Sequence, residues 1–523
     1  MGPPSMPVRC NAYGATLTIA GEIDSIASGL FKAKSTGLRN KIRKVSAMKI
    51  LLDVSVILIP LAIIVAGILY RHWMQRNTTN SFYVANRDVG TFMVAISLAS
   101  AWIWTVALFI VPQKIYELGI IAALPLVFVN AACILLLGVL VPRVRKICGD
   151  TQMTLPQFAA IRDGKRTEGV LTAGVLGVQI YSVITHMLGA SLLLQFMSHG
   201  LDKPALFLLL AGAFLFVAAT RGLQSSIVAD IVKYTAIGGV VLLALIATDI
   251  SGGLPALAGG ATGLRTLEAG FVDLKTLWQF VIPVSAALLS AVAMDDQLYQ
   301  RGFAARSRPG RSYMMGAFFF LLIVLGMGLL GLLAANKALG NQIDNVQLVN
   351  FLTIKHLLPN FPMYLVVTAF MTSLIASGGA ALHAAGNVGA KNVVQILRPD
   401  LHDRYLVLVS RATMLVTLII GTLAALANVG IFELWIGWGM FRAVLFFPII
   451  ALITMRREAV PSVFWWIVVG LVTTLASFAM FRWLGDSIPA ASGEAILVAW
   501  GTTLAVWMMR LARNAWSVQA KTA

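Results

Sequence analysis

Charge is what this sequence has least of. Only 12% of its 523 residues are Asp, Glu, Lys or Arg, against about 25% in an ordinary soluble domain. A soluble fold of this length needs a charged and polar surface, so the scarcity excludes a cytosolic enzyme and a disordered chain. It also argues against a nucleic-acid partner, although the formal net charge is +18.

Cysteine and metal-binding motifs are scarce as well. The three cysteines, Cys10, Cys133 and Cys148, are too few for a disulfide framework, and the six histidines are scattered. The sequence has no CxxC or HExxH spacing and no GxxxxGK[ST] phosphate loop. No nucleophile or acid–base constellation with specific spacing is present. We therefore expect no enzyme, no ATP-driven pump, no cofactor and no structural metal.

Long apolar runs are abundant instead. Hydrophobic residues make up 59% of the chain, and its mean hydropathy is +0.84. A helix that crosses a bilayer needs about 20 mostly apolar residues. The sequence thus predicts an all-α integral membrane protein with about thirteen transmembrane helices. The predicted spans are residues 52–70, 91–111, 119–141, 170–196, 204–220, 226–248, 277–294, 313–335, 361–385, 405–427, 430–454, 461–483 and 490–509.

These helices divide as one, ten and two. Residues 48–90 would hold the first membrane helix and a cytoplasmic loop, 91–454 a ten-helix transport core, and 455–523 two accessory helices and the C-terminus. The core consists of two sets of five helices, and the second set is inverted because five is odd. Such inverted repeats build secondary transporters, whose site lies at the midplane on broken helices.

Basic residues predict the orientation of the helices. With the loop after the first helix inside, the inside segments hold 23 Lys and Arg residues and the outside segments hold seven. This bias predicts a multi-pass protein of the plasma membrane, with its N-terminus outside and its C-terminus in the cytoplasm. Eight further Lys and Arg residues in 1–49 break the pattern. Residues 1–47 are either an atypical tail or, as we favour, sequence that precedes a true start at Met48.

Four motifs resemble, in order, those of the sodium/solute symporter family. The resemblance implies a LeuT-like five-plus-five core, with one helix before it and two after, which carries a small solute together with Na+. The segment SAWIWTVAL (100–108) is similar, more weakly, to a stretch of the urea-transporting branch. The four motifs are SFYVANRDVGTFMVAISLASAWIWTVAL (81–108), MTLPQFAAIRDGKR (153–166), TRGLQSSIVADIVK (220–233) and DDQLYQRGFAARS (295–307).

The resemblance also implies a sodium site. Family members bind Na+ through carbonyl oxygens of an unwound first core helix and through hydroxyls of the eighth core helix. The alternative is that these hydroxyls bond to carbonyls one turn earlier in their own helix. The matching residues in this sequence are Ser100, Ile103, Ala369, Thr372 and Ser373.

Departures from the family pattern leave the coupling ion open. Ala229 and Lys233 stand where the family has Thr and Gln, and residues 378–392 lack its usual Ser, Thr and acidic side chains. Asp230 and Lys233 are three residues apart, so they can pair at the inner end of their helix. Ionisable residues inside a membrane are candidates for coupling or gating; a pair that snorkels to the interface is the alternative. Proton coupling therefore stands beside sodium coupling.

The substrate pocket is expected among the core helices. Aromatic faces and hydrogen-bonding groups suit a small flat polar solute, and packing against lipid or helices is the alternative for each Trp. Pro125 and Leu126 stand where sugar carriers have polar groups, so a hexose is not expected. The candidate residues are Trp102, Trp104, Gln179, Tyr181 and Trp438, with His186 as a further hydrogen-bonding group.

Arg442 lies inside a predicted span, where an arginine facing lipid is costly. It would pair with Glu433 if the chain bends, meet a substrate carboxylate, or anchor a cytoplasmic gate. Together these observations predict a cation-coupled symporter that imports a small polar solute, with urea or a related compound suggested by the weaker resemblance. The alternatives are a membrane-embedded sensor and a proton-coupled, monocarboxylate or amino-acid symporter.

Overall fold

The computed structural model describes residues 47–69, 79–149, 154–197, 202–265, 273–291, 294–340, 343–394, 402–427, 429–455 and 462–522. The expectations for residues 1–46 lie outside these ranges. Within them the chain is helical, and β-structure is limited to one isolated bridge between Val89 and Ala305.

Thirteen helical segments have the length and composition to cross a membrane: twelve are continuous and one is bent. Every predicted span is thus confirmed as a helix, and the largest shift is at the end of the second, which continues to Ala122. They are α1 (Ala47–Leu69), α2 (Thr91–Trp102 and Val106–Ala122), α3 (Leu124–Cys148), α4 (Lys165–Leu194), α5 (Lys203–Thr220), α6 (Leu223–Ile250), α7 (Leu274–Ala291), α8 (Pro309–Ala335), α9 (Met363–Val394), α10 (Arg404–Ala425), α11 (Ile431–Thr454), α12 (Val463–Trp483) and α13 (Ile488–Ala512).

Short helices occupy several connections between these spans. Asp296–Ala304 matters for the site, because it places Gln297 against Gln179 of α4 and Arg301 against Asp230 of α6. The short helices are Thr79–Val84, Leu155–Asp163, Leu254–Gly259, Asp296–Ala304 and Val349–Leu357.

The turn between α5 and α6 shows how local sequence sets helix ends. The Asp202 carboxylate caps α5 by accepting a backbone N–H of the first turn at 3.2 Å, and Pro204 suits that turn. Gly222 follows α5 with a φ of +58°. A Cβ at this position would lie 2.4 Å from the Phe82 carbonyl oxygen. Only glycine combines a positive φ with the absence of a Cβ. Gly222 therefore lets α6 begin immediately after α5 while the chain packs against Phe82.

Burial distinguishes central helices from peripheral ones. In α9 and α11, 83% and 78% of the most apolar stretch is buried, whereas the share is 28% in α1, α6 and α12 and 22% in α13. The first part of α6, which carries Asp230 and Lys233, is nevertheless buried. α9 lies against α4, α5, α6 and α10, and the first half of α2 lies against α6 and α8. The polar residues of the core are therefore enclosed around α2, α6 and α9.

Candidate functional site

The second helix is broken near its middle. Ile103, which follows its first half, has backbone angles of −81° and +83°, outside the α region. The two halves meet at a bend of 67°. The Trp104 N–H donates to the Trp102 carbonyl at 3.1 Å instead of one turn back. Irregular backbone at membrane depth is tolerated where protein buries it or where it lines a cavity.

The predicted sodium residues meet at this break only in part. The Ser373 hydroxyl lies 3.5 Å from the Ile103 carbonyl oxygen, so the two elements face each other. The Thr372 hydroxyl donates instead to the Thr368 carbonyl of its own helix at 2.8 Å, the alternative that its sequence position left open. Ala369 lies one turn before Ser373 on α9, half-buried.

A lysine ammonium occupies the other side of the break. Lys233 on α6 is fully buried, and its Nζ donates to the Ser100 carbonyl oxygen at 2.6 Å. The same Nζ donates to the Ser377 hydroxyl of α9 at 2.5 Å. The Lys233 side chain thus contacts one of the oxygens that the resemblance assigns to a cation, Ser100 O.

Asp230 does not pair with Lys233 as the sequence suggested. Its Oδ2 accepts from Arg301 Nε at 3.0 Å and Nη2 at 2.8 Å, and from the Ser97 hydroxyl at 2.5 Å. Arg301 comes from the short helix Asp296–Ala304, 71 residues further along the chain. That helix packs against α2, so Arg301 and not Lys233 pairs with Asp230. The Lys233 side chain is directed at the break in α2.

A small cavity lies beside the break. Its volume is about 20 Å³, room for about one water molecule, so the helices must move apart before a solute can enter. Trp102, Trp104 and His186, which the sequence suggested for a substrate pocket, are among its lining residues. The full lining is Ala101, Trp102, Trp104, Val178, Ser182, His186, Ala291, Asp295, Gln297, Ser377 and Arg442.

Aromatic rings enclose one side of this cavity. The Tyr181 ring stacks on Trp438 with centroids 6.0 Å apart and meets Trp104 edge-on at 5.7 Å. Trp102 lies 6.4 Å from Trp104, and its indole N–H donates to Asn130 Oδ1 at 2.5 Å. Four predicted substrate residues therefore form one aromatic cluster from α2, α4 and α11, although Tyr181 and Trp438 stand behind the lining.

Arg442 faces this aromatic cluster. Its guanidinium carbon lies 6.0 Å from the Trp104 centroid and 5.8 Å from the Tyr181 centroid, within cation–π range. Its Nη2 donates to the Trp435 carbonyl at 3.4 Å. Among the described residues it makes no ion pair with Glu433. Because α11 is continuous between these positions, nine residues keep them about 13 Å apart.

Several buried polar atoms around the cavity have no hydrogen-bond partner in the described part of the chain. They are found on three different helices, and buried polar groups in folded proteins are nearly always bonded. The cavity is therefore equipped for a polar ligand with both donors and acceptors. These atoms include Arg442 Nε, Trp104 Nε1, His186 Nε2, Tyr181 Oη and Gln179 Nε2.

Sequence reasoning missed part of the lining. Gln297 donates to Gln179 Oε1 at 3.0 Å, which places Gln179 behind Gln297. Asp295 lies at the start of the short helix Asp296–Ala304. Burial raises the pKa of its carboxyl to about 6, although the positive charges of Arg301 and Arg442 act to lower it. Its Oδ1 accepts the Gln297 N–H at 3.2 Å. Both residues belong to the motif at 295–307, which could have suggested them.

The four motifs that carried the resemblance meet at one end of the bundle. Segments 81–108 and 295–307 join through the Val89 N–H and the Ala304 carbonyl at 3.1 Å. Segments 153–166 and 295–307 join through the Leu155 N–H and Asp296 at 3.2 Å. Segments 220–233 and 295–307 join through Asp230 and Arg301. The motifs therefore build a connected polar network beside the cavity and on the predicted cytoplasmic side.

Known proteins resemble this chain in sequence and in fold. The protein named Probable urea active transporter 3 from Schizosaccharomyces pombe (strain 972 / ATCC 24843) is 22% identical in an alignment 410 residues long, which covers 71% of this chain and 60% of that protein. This chain therefore spans 60% of the length of that curated relative.

Two solved structures share the fold. A Na+-coupled sialic acid symporter, substrate-bound and outward-open, superposes with a TM-score of 0.64 at 16% identity, covering 86% of this chain and 96% of that one. A nucleobase-cation-symport-1 family transporter, closed with bromovinylhydantoin bound, gives 0.51 at 11% identity, covering 83% and 95%. The predicted LeuT-like fold is confirmed. The sequence pattern of one family matches residues 82–470, most of the chain, so this protein belongs to the sodium:solute symporter family.

Proposed function

We propose that this protein is a cation-coupled secondary symporter that imports a small polar solute. One observation carries the proposal: the break in α2 faces the α9 hydroxyls and opens beside a buried polar cavity. In transporters with inverted repeats, broken helices hold the coupling ion and the substrate near the midplane. In this proposal residues 91–454 are the transport core. The cation acts at the break of α2, where Ser100 and Ile103 face the part of α9 that carries Ala369, Thr372 and Ser373.

The driving force of one cation is adequate for concentrative uptake. Moving one positive charge through about 100 mV supplies about 2.3 kcal/mol. A tenfold concentration gradient adds about 1.4 kcal/mol. Together they support about 500-fold accumulation of a neutral solute.

The cavity favours a small planar solute with both N–H donors and a carbonyl acceptor. Arg442 offers donors, Asp295 offers an acceptor, and Trp102 and Trp104 offer flat faces. Urea and simple amides have this chemistry, and the urea transporter among the relatives agrees with it. A sugar is not favoured, because its many hydroxyls need more polar partners than this lining supplies.

Uptake into proteoliposomes tests the proposal. The full chain is reconstituted, and accumulation of radiolabelled urea, acetamide, acetate and proline is measured under an inward Na+ gradient or an inward H+ gradient. Accumulation of urea or acetamide well above the level in protein-free vesicles, under either gradient, is the expected result. Binding of these solutes without accumulation under any gradient would contradict a symporter and favour a sensor.

A further inference from the structure

We propose that the groove between α5 and α10 binds an anionic phospholipid, whose headgroup lies at Arg404 and Arg411 and one of whose acyl chains lies along the groove. The inference goes beyond the proposed function and does not depend on it, because neither helix contributes a described residue to the lining of the solute cavity. It starts from one juxtaposition: an apolar groove within the membrane span ends beside exposed arginines.

The groove is apolar and faces the bilayer. It has a volume of about 560 Å³, and its walls come from α5 and α10. Among its described lining residues only Thr422 carries a polar side chain, and that hydroxyl is surrounded by residues such as Phe207, Leu215 and Leu415. In the most apolar stretches of α5 and α10 only 39% and 33% is buried, so both helices are peripheral. A groove of this kind in a membrane span fits a hydrocarbon chain.

One face of α10 continues from the groove to a second concavity at the start of the same helix. This concavity has a volume of about 510 Å³ and is lined by basic and aromatic side chains as well as apolar ones. Residues three and four positions apart share a helix face, and the groove begins about 6 Å along the helix beyond the last arginine. The residues of this face are Arg404, Leu408, Arg411, Leu415, Leu418 and Thr422.

Arg411 lies where the groove meets the end of the membrane span. Its Nε donates to the Ala219 carbonyl at 3.2 Å, one residue before α5 ends at Thr220. This bond holds the guanidinium between the two helices, and among the described residues its Nη groups make no hydrogen bond. The basic residues predict that this side is cytoplasmic. Anionic lipids are concentrated in that leaflet, and basic pockets between membrane helices there bind their headgroups.

The charge at the end of the groove favours an anionic lipid over other occupants. Arginine binds phosphate oxygens through parallel, charge-assisted hydrogen bonds. A phosphatidylcholine offers the same phosphate, but its ammonium group would lie near the arginines. A second copy of this chain would meet the groove with the same face in a two-fold contact. Arg404 and Arg411 would then lie opposite their own copies, and like charges repel.

Binding of phosphatidylglycerol to the purified full chain tests the headgroup site. Native mass spectrometry in detergent measures the affinity for the first lipid bound, and phosphatidylcholine with identical acyl chains is the comparison. The parent should bind phosphatidylglycerol about tenfold more tightly or better. The double variant Arg404→Gln, Arg411→Gln should lose this preference, and Arg411→Lys, which keeps the charge, should keep part of it.

Arg143→Gln is the matched control for charge. It removes another exposed arginine near the end of α3, on the same predicted side of the membrane, and it should keep the full preference for phosphatidylglycerol. Melting curves establish that each variant is folded.

Gly212→Leu tests whether an acyl chain occupies the groove. Gly212 lines the groove, and a Cβ there would meet no atom within 4 Å, so a larger side chain can fill the space without displacing the protein. The affinity for phosphatidylglycerol should fall several-fold or more. Gly239→Leu on α6 is the matched control, because a Cβ there also meets open space and Gly239 does not line the groove. Glycerophosphoglycerol, which has the headgroup and no chains, should bind much more weakly than the lipid.

Three results would overturn the proposal: equal affinity for the two lipids, a preference that persists in the double arginine variant, and parental affinity in Gly212→Leu. A dimer of the parent that is lost in Gly212→Leu would also overturn it, because the groove would then hold a second copy of the chain.

Discussion

Among the residues that the structure describes, two arginines, Arg301 and Arg442, are buried, and their surroundings differ. Arg301 donates to Asp230, to the Ser97 hydroxyl and to the Gln297 carbonyl. Arg442, 3% exposed, makes one hydrogen bond of 3.4 Å. The Arg301 guanidinium has hydrogen-bond partners within the protein. Arg442 Nε lies beside the cavity and has no hydrogen-bond partner among the described residues.

The difference indicates what each arginine does. A buried ion pair is weak evidence for stability, but breaking one is strongly destabilising because a charge is left uncompensated. Arg301 therefore holds the motif network together. Arg442 makes few hydrogen bonds within the described protein, and its Nε–H is a donor that a ligand in the cavity could use. The family motifs include Arg301 and not Arg442, so they identify the framework better than the proposed solute site.

The largest effect is expected from breaking the satisfied pair. Asp230→Asn removes the negative charge and leaves the Arg301 guanidinium buried, so the free energy of unfolding should fall by about 3–5 kcal/mol. Chemical unfolding in detergent measures this. Asp88→Asn is the control, because its partner Arg306 is mostly exposed and such pairs contribute little. Equal stability of the Asp230→Asn variant and the parent would remove the distinction between the two arginines.

Arg442→Met should show the opposite pattern. The half-saturation constant for the transported solute should rise about tenfold or more, because a charged donor to the solute is lost. Thermal stability should stay the same or increase, because a poorly paired buried charge is replaced by an apolar side chain. Uptake kinetics and a melting curve on the same preparation check both. A large loss of stability with an unchanged half-saturation constant would assign Arg442 to the framework.

In the aromatic cluster, Trp104→Phe and Trp102→Phe compare an indole N–H without a hydrogen-bond partner with one that has a partner. The Trp102 indole N–H has a partner in Asn130, so Trp102→Phe should cost about 1 kcal/mol of stability. The Trp104 indole N–H has no partner within the described residues, so Trp104→Phe should leave stability near the parental value. It should raise the half-saturation constant several-fold, and Trp104→Ala should raise it further. An unchanged constant in both Trp104 variants would favour a packing role.

Thr372→Ala should have the smallest effect. Its hydroxyl bonds to a carbonyl of its own helix, and hydrogen bonds in membrane helices are worth about 0.6 kcal/mol on average. Because the Thr372 hydroxyl is directed at its own helix, the ion dependence of uptake should not change in Thr372→Ala. Ser377→Ala is the informative companion, because that hydroxyl accepts from Lys233 and so connects α9 to α6, and it should lower cation-driven uptake more. A marked loss of Na+-driven uptake in Thr372→Ala would restore the sodium site that the family resemblance implies.

Much of the fold could be predicted from sequence because a bilayer imposes strict requirements. Each span must be long and apolar and must satisfy its own backbone, so hydropathy alone located all thirteen. The pairing of Asp230 could not be found this way. Residues 230 and 233 are neighbours on a helix, but the partner that reaches Asp230 is Arg301, and no local pattern measures a contact over 71 residues.

The sequence by itself determined the class of protein, the number and approximate positions of the spans, and the family, since these depend on composition, periodicity and short motifs. It also singled out Trp102, Trp104, Lys233 and Arg442 as unusual residues for a membrane helix. Only the tertiary structure decided what they contact. The break at Ile103 brings Ser100 O to Lys233, and the continuous α11 keeps Arg442 away from Glu433. Hydrogen bonds between helices depend on how the helices pack in three dimensions, and this packing is set by the whole core rather than by any one segment.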